Sequence, residues 1–147
     1  MEIADEMEEE ITKLCSIPAE ERNHENILDI MNYLSGSSFI QQLDVGTKAE
    51  LAKVMTVTKV AAGGKIQLTK EILENQNGEE ETTMDLFLVL SGSIRIGSLP
   101  QFRPGDTFGF RGTGTKVNPI KAHDHGVATW GGALLGAAPA ATCRALF

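Results

Sequence analysis

The sequence predicts an α+β domain in which helices come first and a small antiparallel barrel or jelly roll follows. Three observations carry this expectation. In "HENILDIMNYLS", Ile27, Ile30, Met31 and Leu34 fall at i, i+3, i+4 and i+7, the single apolar stripe of an amphipathic helix. From Val57 onward the pattern shifts to period two. Glycines then punctuate the alternating runs, as turns between short strands require.

The elements follow in order. Met1 to Glu10 holds six acids and no base, so residues 1–24 read as an acidic helix or tail. The helix around residues 24–35 meets a stop signal at Gly36. "SFIQQL", residues 38–43, connects onward through Phe39, Ile40 and Leu43. "TKAELAKVM" gives a second helix, with Thr47 and Glu50 at capping-box spacing and Leu51, Val54 and Met55 facing one way. The strands open with "VTKVAA", turn at Gly63-Gly64 and resume as "KIQL". The polar stretch 69–84 reads as a long exposed loop or hairpin tip turning at Asn77-Gly78. "DLFLVLSGSIRIGS" is the strongest strand signal, broken at Ser91-Gly92. Residues 126–142 hold four glycines and six alanines, a composition that specifies neither strand nor helix, so the C-terminal part is poorly specified.

Composition narrows the function. A chain of 147 residues with 41% hydrophobic and 22% charged content fits one globular domain. A net charge of −7 argues against nucleic acid or an anionic membrane as partner. No signal segment and no apolar run long enough for a membrane span is present, which makes a cytoplasmic protein with reduced thiols the expectation. Cys15 and Cys143 have no metal-ligand spacing, and His123-Asp124-His125 reads as a solvated loop, so no metal site and no cofactor are expected. No local Ser-His-Asp or Cys-His arrangement suggests catalysis, and the chain is read as a non-enzyme.

The order of a helix, "VTKVAAGGKI", "FLVLSGSIRI" and "RPGDTFG" resembles the cyclic-nucleotide-binding domain family, over about residues 25–110. Gly63 stands where that family has a turn glycine, Phe87 at its usual aromatic and Gly92 between two core strands. Pro104, Gly105, Asp106, Phe108 and Gly109 match the run that introduces its phosphate-binding cassette. The lead-in also looks like the one before such domains in Rap guanine-nucleotide exchange factors. The resemblance implies N-terminal helices packed on an antiparallel β-roll, with residues 25–121 as the domain and 122–147 as an atypical Gly/Ala-rich tail. It implies a regulatory module in signalling, cAMP or cGMP as ligand, and a protein partner or downstream effector domain.

The stretch "RPGDTFGFRGTGTK", residues 103–116, has four glycines, three threonines and three basic side chains. Free amides and cations of this kind can hold an anion. Gly109, Phe110, Arg111, Thr113, Gly114, Thr115 and Lys116 are therefore the candidate ligand-binding residues. The resemblance implies a glutamate after Gly109 to accept a ribose hydroxyl and, farther on, an arginine followed by a small residue for the phosphate. Phe110 occupies the first position, and no Arg-Ala or Arg-Thr pair follows at the expected distance. Arg111 comes early, Lys116 lacks the guanidinium fork, and Asn118-Pro119 opposes a helix. A divergent anion site and a turn in a ligand-free protein-interaction module both fit. "GFRGTGTK" also approaches a P-loop, with Thr115 and Lys116 transposed and no strand-to-helix setting, which leaves a nucleotide hydrolase as a minor alternative. The tail lacks the family's further strands and C-terminal helix in recognisable form. A shortened or alternative product, with an incomplete roll and open strand edges, is the matching expectation.

Overall fold

Two asparagines start the first predicted helix. Asn23 accepts from the Asn26 amide at 2.8 Å while Asn26 accepts from the Asn23 amide at 3.0 Å, a reciprocal capping box. In the computed structural model, which describes residues 5–67, 70–74, 78, 80–97, 100–109 and 125–146, this helix is α2, His24–Leu34. Its stripe packs as expected: Ile30 and Leu34 are buried, and Ile27 and Met31 lie against the same core. The acidic start is helical as well. α1 spans Asp5–Cys15, and it is no solvated tail, because Ile11 and Cys15 are buried in that core. A 3₁₀ turn at Ala19–Glu21 links the two. α3 is Ser38–Gln41, capped by the buried Ser37, and α4 is Val45–Val54. α4 begins ahead of Thr47, with Asp44 as its N-cap residue, so the Thr47–Glu50 pair sits inside the helix and Thr47 is not the cap residue.

The strands are β1 (Thr56–Val60), β2 (Lys65–Gln67), β3 (Lys70–Glu74), β4 (Glu80–Met84), β5 (Leu86–Arg95), β6 (Thr107–Gly109) and β7 (His125–Ala138), followed by α5 (Ala140–Leu146). They build a curled antiparallel sheet in the order β1-β7-β5-β6, with β2 also paired to β7. β3 and β4 form a separate antiparallel ladder, residues 70–74 against 80–84, with Gly78 between them at φ +77°; Asn77, the other half of the expected turn, lies outside the described residues.

Alternation along β5 separates two cores. Leu86, Leu88 and Leu90 face the helices, where they meet Leu34, Leu51, Met55 and Leu134. Phe87, Val89, Ile94 and Ile96 face the other side, with Val60, Phe102, Phe108 and Leu135. The change of phase between Leu90 and Ile94 coincides with two register shifts between β5 and β7, one between Val89 and Ser91, the other between Gly92 and Ile94.

The Gly/Ala-rich stretch, which the sequence leaves without a regular element, holds the strand between β1 and β5. Small residues suit that place. A β-carbon on Gly136 would stand 3.1 Å from the Met55 sulfur, and one on Gly126 would stand 2.9 Å from the Ile94 side chain. Packing on both faces, rather than local propensity, makes this segment a strand. α5 then starts against β5, because the Asp85 carboxylate accepts from the Ala140 amide at 3.0 Å.

Both thiols are sealed in the helix-side core. Burial pushes Cys15 up from an ordinary 9.0 to about 11, partly opposed by the nearby Arg22 charge, and burial pushes Cys143 to about 12. The folded chain keeps these protons while the unfolded chain releases them near the ordinary value. Their contribution is thus intact below about pH 9 and is lost as pH climbs towards 11–12. The urea midpoint should fall between pH 8 and pH 10.5, and a Cys15→Ala/Cys143→Ala double variant should show a smaller fall. Equal falls in both proteins would count against this origin.

Candidate functional site

The candidate site is the sheet face turned away from the helices, and its residues arise from local pairing. β6 pairs with β5 so that Phe108 lies opposite Phe87, with ring centroids 5.1 Å apart and planes 17° from parallel. Phe102 reaches the same place through a bridge to Ile94, its amide and carbonyl both bonded, and its ring lies 4.9 Å from Phe108. Three aromatic rings in contact, with Val60, Val89 and Leu135 around them, make this face dry and apolar.

The run Arg103-Pro104-Gly105-Asp106 forms the turn that delivers β6. The Asp106 amide donates to the Arg103 carbonyl at 2.9 Å, and Gly105 has φ +94°. Proline at the second position and a positive-φ glycine at the third are what a type II turn needs. The Asp106 carboxylate accepts from the Arg103 amide at 2.8 Å. Two further bonds, from Gly105 to the Val89 carbonyl and from Val89 to the Asp106 carbonyl, tie the turn to β5.

The five framework positions therefore cluster around one sheet. Phe87 and Phe108 stack, Gly105 makes the turn, and Gly92 sits at the phase change of β5. Gly63 lies between β1 and β2, where its amide donates to the Ala128 carbonyl at 3.0 Å. Of the candidate ligand residues, Gly109 ends β6, buried and opposite Leu86. Phe110, Arg111, Thr113, Gly114, Thr115 and Lys116 lie outside the described residues. Among the described residues no cluster of His, Cys, Asp and Glu is arranged to hold a metal, and no helix is long and apolar enough to cross a membrane.

Sequence reasoning passed over a second constellation behind this face. Arg22 is buried and spends all five donors on carbonyls: Ile17, Ala52, Lys53, Cys15 and Met55, at 2.7–3.0 Å. It closes the C-terminal ends of both α1 and α4, where the helix dipoles favour a cation. Glu8 of α1 accepts from the Ser91 hydroxyl at 3.1 Å and so touches the same phase change of β5. Only tertiary packing brings these partners together, since Arg22 lies 30 or more residues from α4's last turn.

No protein-family model matches the sequence, and no curated protein matches it. Solved structures do. The C-linker/CNBHD of zELK channels is 18% identical with a TM-score of 0.53, covering 99% of this chain and 69% of that one. The regulatory domain of Toxoplasma gondii PKA, co-crystallised with cAMP, is 13% identical with a TM-score of 0.55, covering 82% and 44%. The cAMP-bound PfPKA-R is 13% identical with a TM-score of 0.50, covering 79% and 38%. The chain spans less than half the length of the two PKA structures. Helices on one face of a curled antiparallel sheet, a cluster of three phenylalanines on the other and a glycine turn leading into β6 together give this chain the fold of the cyclic-nucleotide-binding domains.

Proposed function

We propose that this chain is a regulatory module of the cyclic-nucleotide-binding type, working in signalling, whose phosphate cassette has diverged. It acts through protein contacts, with an effector domain as partner, and holds cAMP or cGMP weakly or not at all. The observation that carries this reading is the step from Gly109 to Phe110. The framework is intact up to Gly109, the buried end of β6. The next residue is an aromatic ring, where the resemblance implies a carboxylate for the ribose. The forked cation expected farther along the cassette is missing from the sequence as well.

The size of the effect follows from the chemistry. A hydrogen bond to a charged group is worth about 1.5–3 kcal/mol, so losing two such partners weakens binding about a hundredfold or more. A site that would otherwise hold its ligand near ~1 µM then sits at ~100 µM or above. Calorimetric titration with cAMP and with cGMP is the test, and no saturable heat below about 100 µM is the expected result. Saturation near ~1 µM, abolished by Arg111→Ala, would overturn the reading and make the stretch 109–116 a working phosphate site. The regulatory reading also expects no release of phosphate from ATP or GTP, with or without magnesium. Turnover would favour the hydrolase alternative.

A further inference from the structure

A groove on the helix side of the sheet carries a further inference, independent of the apolar face and of the function proposed for it. α1 packs against β1. Its end is held near the start of that strand, because Arg22 bonds both the Cys15 and the Met55 carbonyls. Farther back along α1, Glu8 bonds Ser91, whose register partner is Leu134, and Leu134 pairs in turn with Lys59 of β1. Residues opposite one another in a ladder share a face, so Lys59 lies on the α1 side of the sheet, across Leu134 from Glu8. Between helix and strand is an open groove of about 620 Å³, floored by Leu134. Lys59 lines one wall, and Glu8, Glu9, Thr12, Lys13 and Ser16 line the other.

The donors and acceptors of these side chains divide cleanly. Thr12 donates its hydroxyl hydrogen to the Glu8 carbonyl at 2.7 Å, and Ser16 donates its own to the Lys13 carbonyl at 2.6 Å. Both hydroxyls therefore offer the groove only lone pairs. Glu8 is half-buried and accepts from Ser91 through one carboxylate oxygen, which leaves the other oxygen to the groove. Lys13 and Lys59 are then the only lining side chains with hydrogens left to donate. Among the described residues no ion pair joins Glu9, Lys13 or Lys59 to one another or to Glu8. A lining with two free charges of each sign suits neither a cation nor an anion alone. It suits a ligand that carries both.

Spacing narrows the class. Glu9 and Lys13 are four residues apart on α1, a rise of about 6 Å along the helix. An α-amino acid holds its two charges only about one residue apart, ~3.5 Å, whereas an extended dipeptide spans ~7 Å between its ends.

We propose that the groove between α1 and β1 binds a small zwitterion of dipeptide length. Its ammonium sits against Glu8 and Glu9, within reach of the Thr12 and Ser16 oxygens, and its carboxylate against Lys13 and Lys59. The volume of the groove leaves room for side chains on such a ligand.

The test titrates the full chain with glycylglycine at neutral pH and follows backbone amide shifts by NMR. Expected are saturable shifts in residues 8–16 and at Lys59, with a dissociation constant of about 1 mM or lower. Acetyl-glycylglycine lacks the ammonium and glycylglycine amide lacks the carboxylate, so each should bind about tenfold more weakly. Free glycine, with its charges too close, should be weaker as well. Glu9→Gln and Lys13→Gln should each cost about two- to fivefold in affinity, the range of an exposed ion pair. Both positions are exposed, so these variants should fold as the parent does. No saturable shift by about 10 mM, or equal affinity for the blocked and free peptides, would overturn the proposal. So would shifts centred on residues 87–109, which would place the ligand on the other face, or acetate or ammonium ions binding as well as the dipeptide.

Discussion

Arg22→Ala is expected to lower the stability of the domain by about 3–5 kcal/mol, read as a drop in the urea midpoint without a change in slope. The five carbonyls that Arg22 serves belong to the ends of α1 and α4 and to the segments beside them. Ala52 and Met55 are themselves buried, so their carbonyls have little access to water once the guanidinium is gone. A buried carbonyl without a donor costs about 1–3 kcal/mol, and two or three such groups reach the expected total. Arg22→Lys should recover only part of the loss, because an ammonium has three donors and no planar fork. A loss below 1 kcal/mol for the alanine variant would mean that the carbonyls find other partners.

Gly92→Ala should be comparably severe, at about 4 kcal/mol or more. Two costs add. Gly92 has φ +70°, which any L side chain resists by about 1–2 kcal/mol. Its new β-carbon would also stand 2.0 Å from the Gly132 carbonyl oxygen and 2.9 Å from the Ala133 Cα, both backbone atoms that cannot rotate away. Gly63→Ala is the control. Its φ is +73°, nearly the same, but nothing lies within 4 Å of the added atom. That variant should therefore lose only the backbone part, about 1–2 kcal/mol. Similar losses at the two positions would show that backbone strain, and not the close approach of β7, makes Gly92 indispensable.

How far the sequence reveals this molecule depends on whether a residue's environment is set locally. The stripe of α2, the strand character of β5 and the proline-glycine turn before β6 follow from neighbours in the chain, whereas the stacking of Phe87 on Phe108 arises only when β6 pairs with β5. The acidic first helix is recognisable as a helix, but its docking is not, because Ile11 and Cys15 are too few to mark a face against five acids. β7 is hidden for a different reason. Glycine and alanine carry almost no propensity signal, and what selects glycine at 126 and 136 is the crowding by Ile94, Ile66 and Met55, residues 32 to 81 positions away. Arg22 is equally silent, a single base whose partners are assembled only by folding. At the candidate site, Gly63, Phe87, Gly92, Gly105 and Phe108 are marked by the family resemblance, and three of them, Gly63, Gly92 and Gly105, have the positive φ that a glycine suits. The chemistry that a ligand would meet beyond Gly109 depends on residues outside the described set.

The position of β7 has a consequence for biosynthesis. This strand enters between β1 and β5, joining Thr56 to Ala137 across 81 residues, yet it leaves the ribosome after both of them. Until it arrives, the leucines of β5 have helices on one side but no neighbour at the strand edge that β7 will fill. The nascent chain must therefore wait, open along its middle, and commit to its final topology in one late and slow insertion.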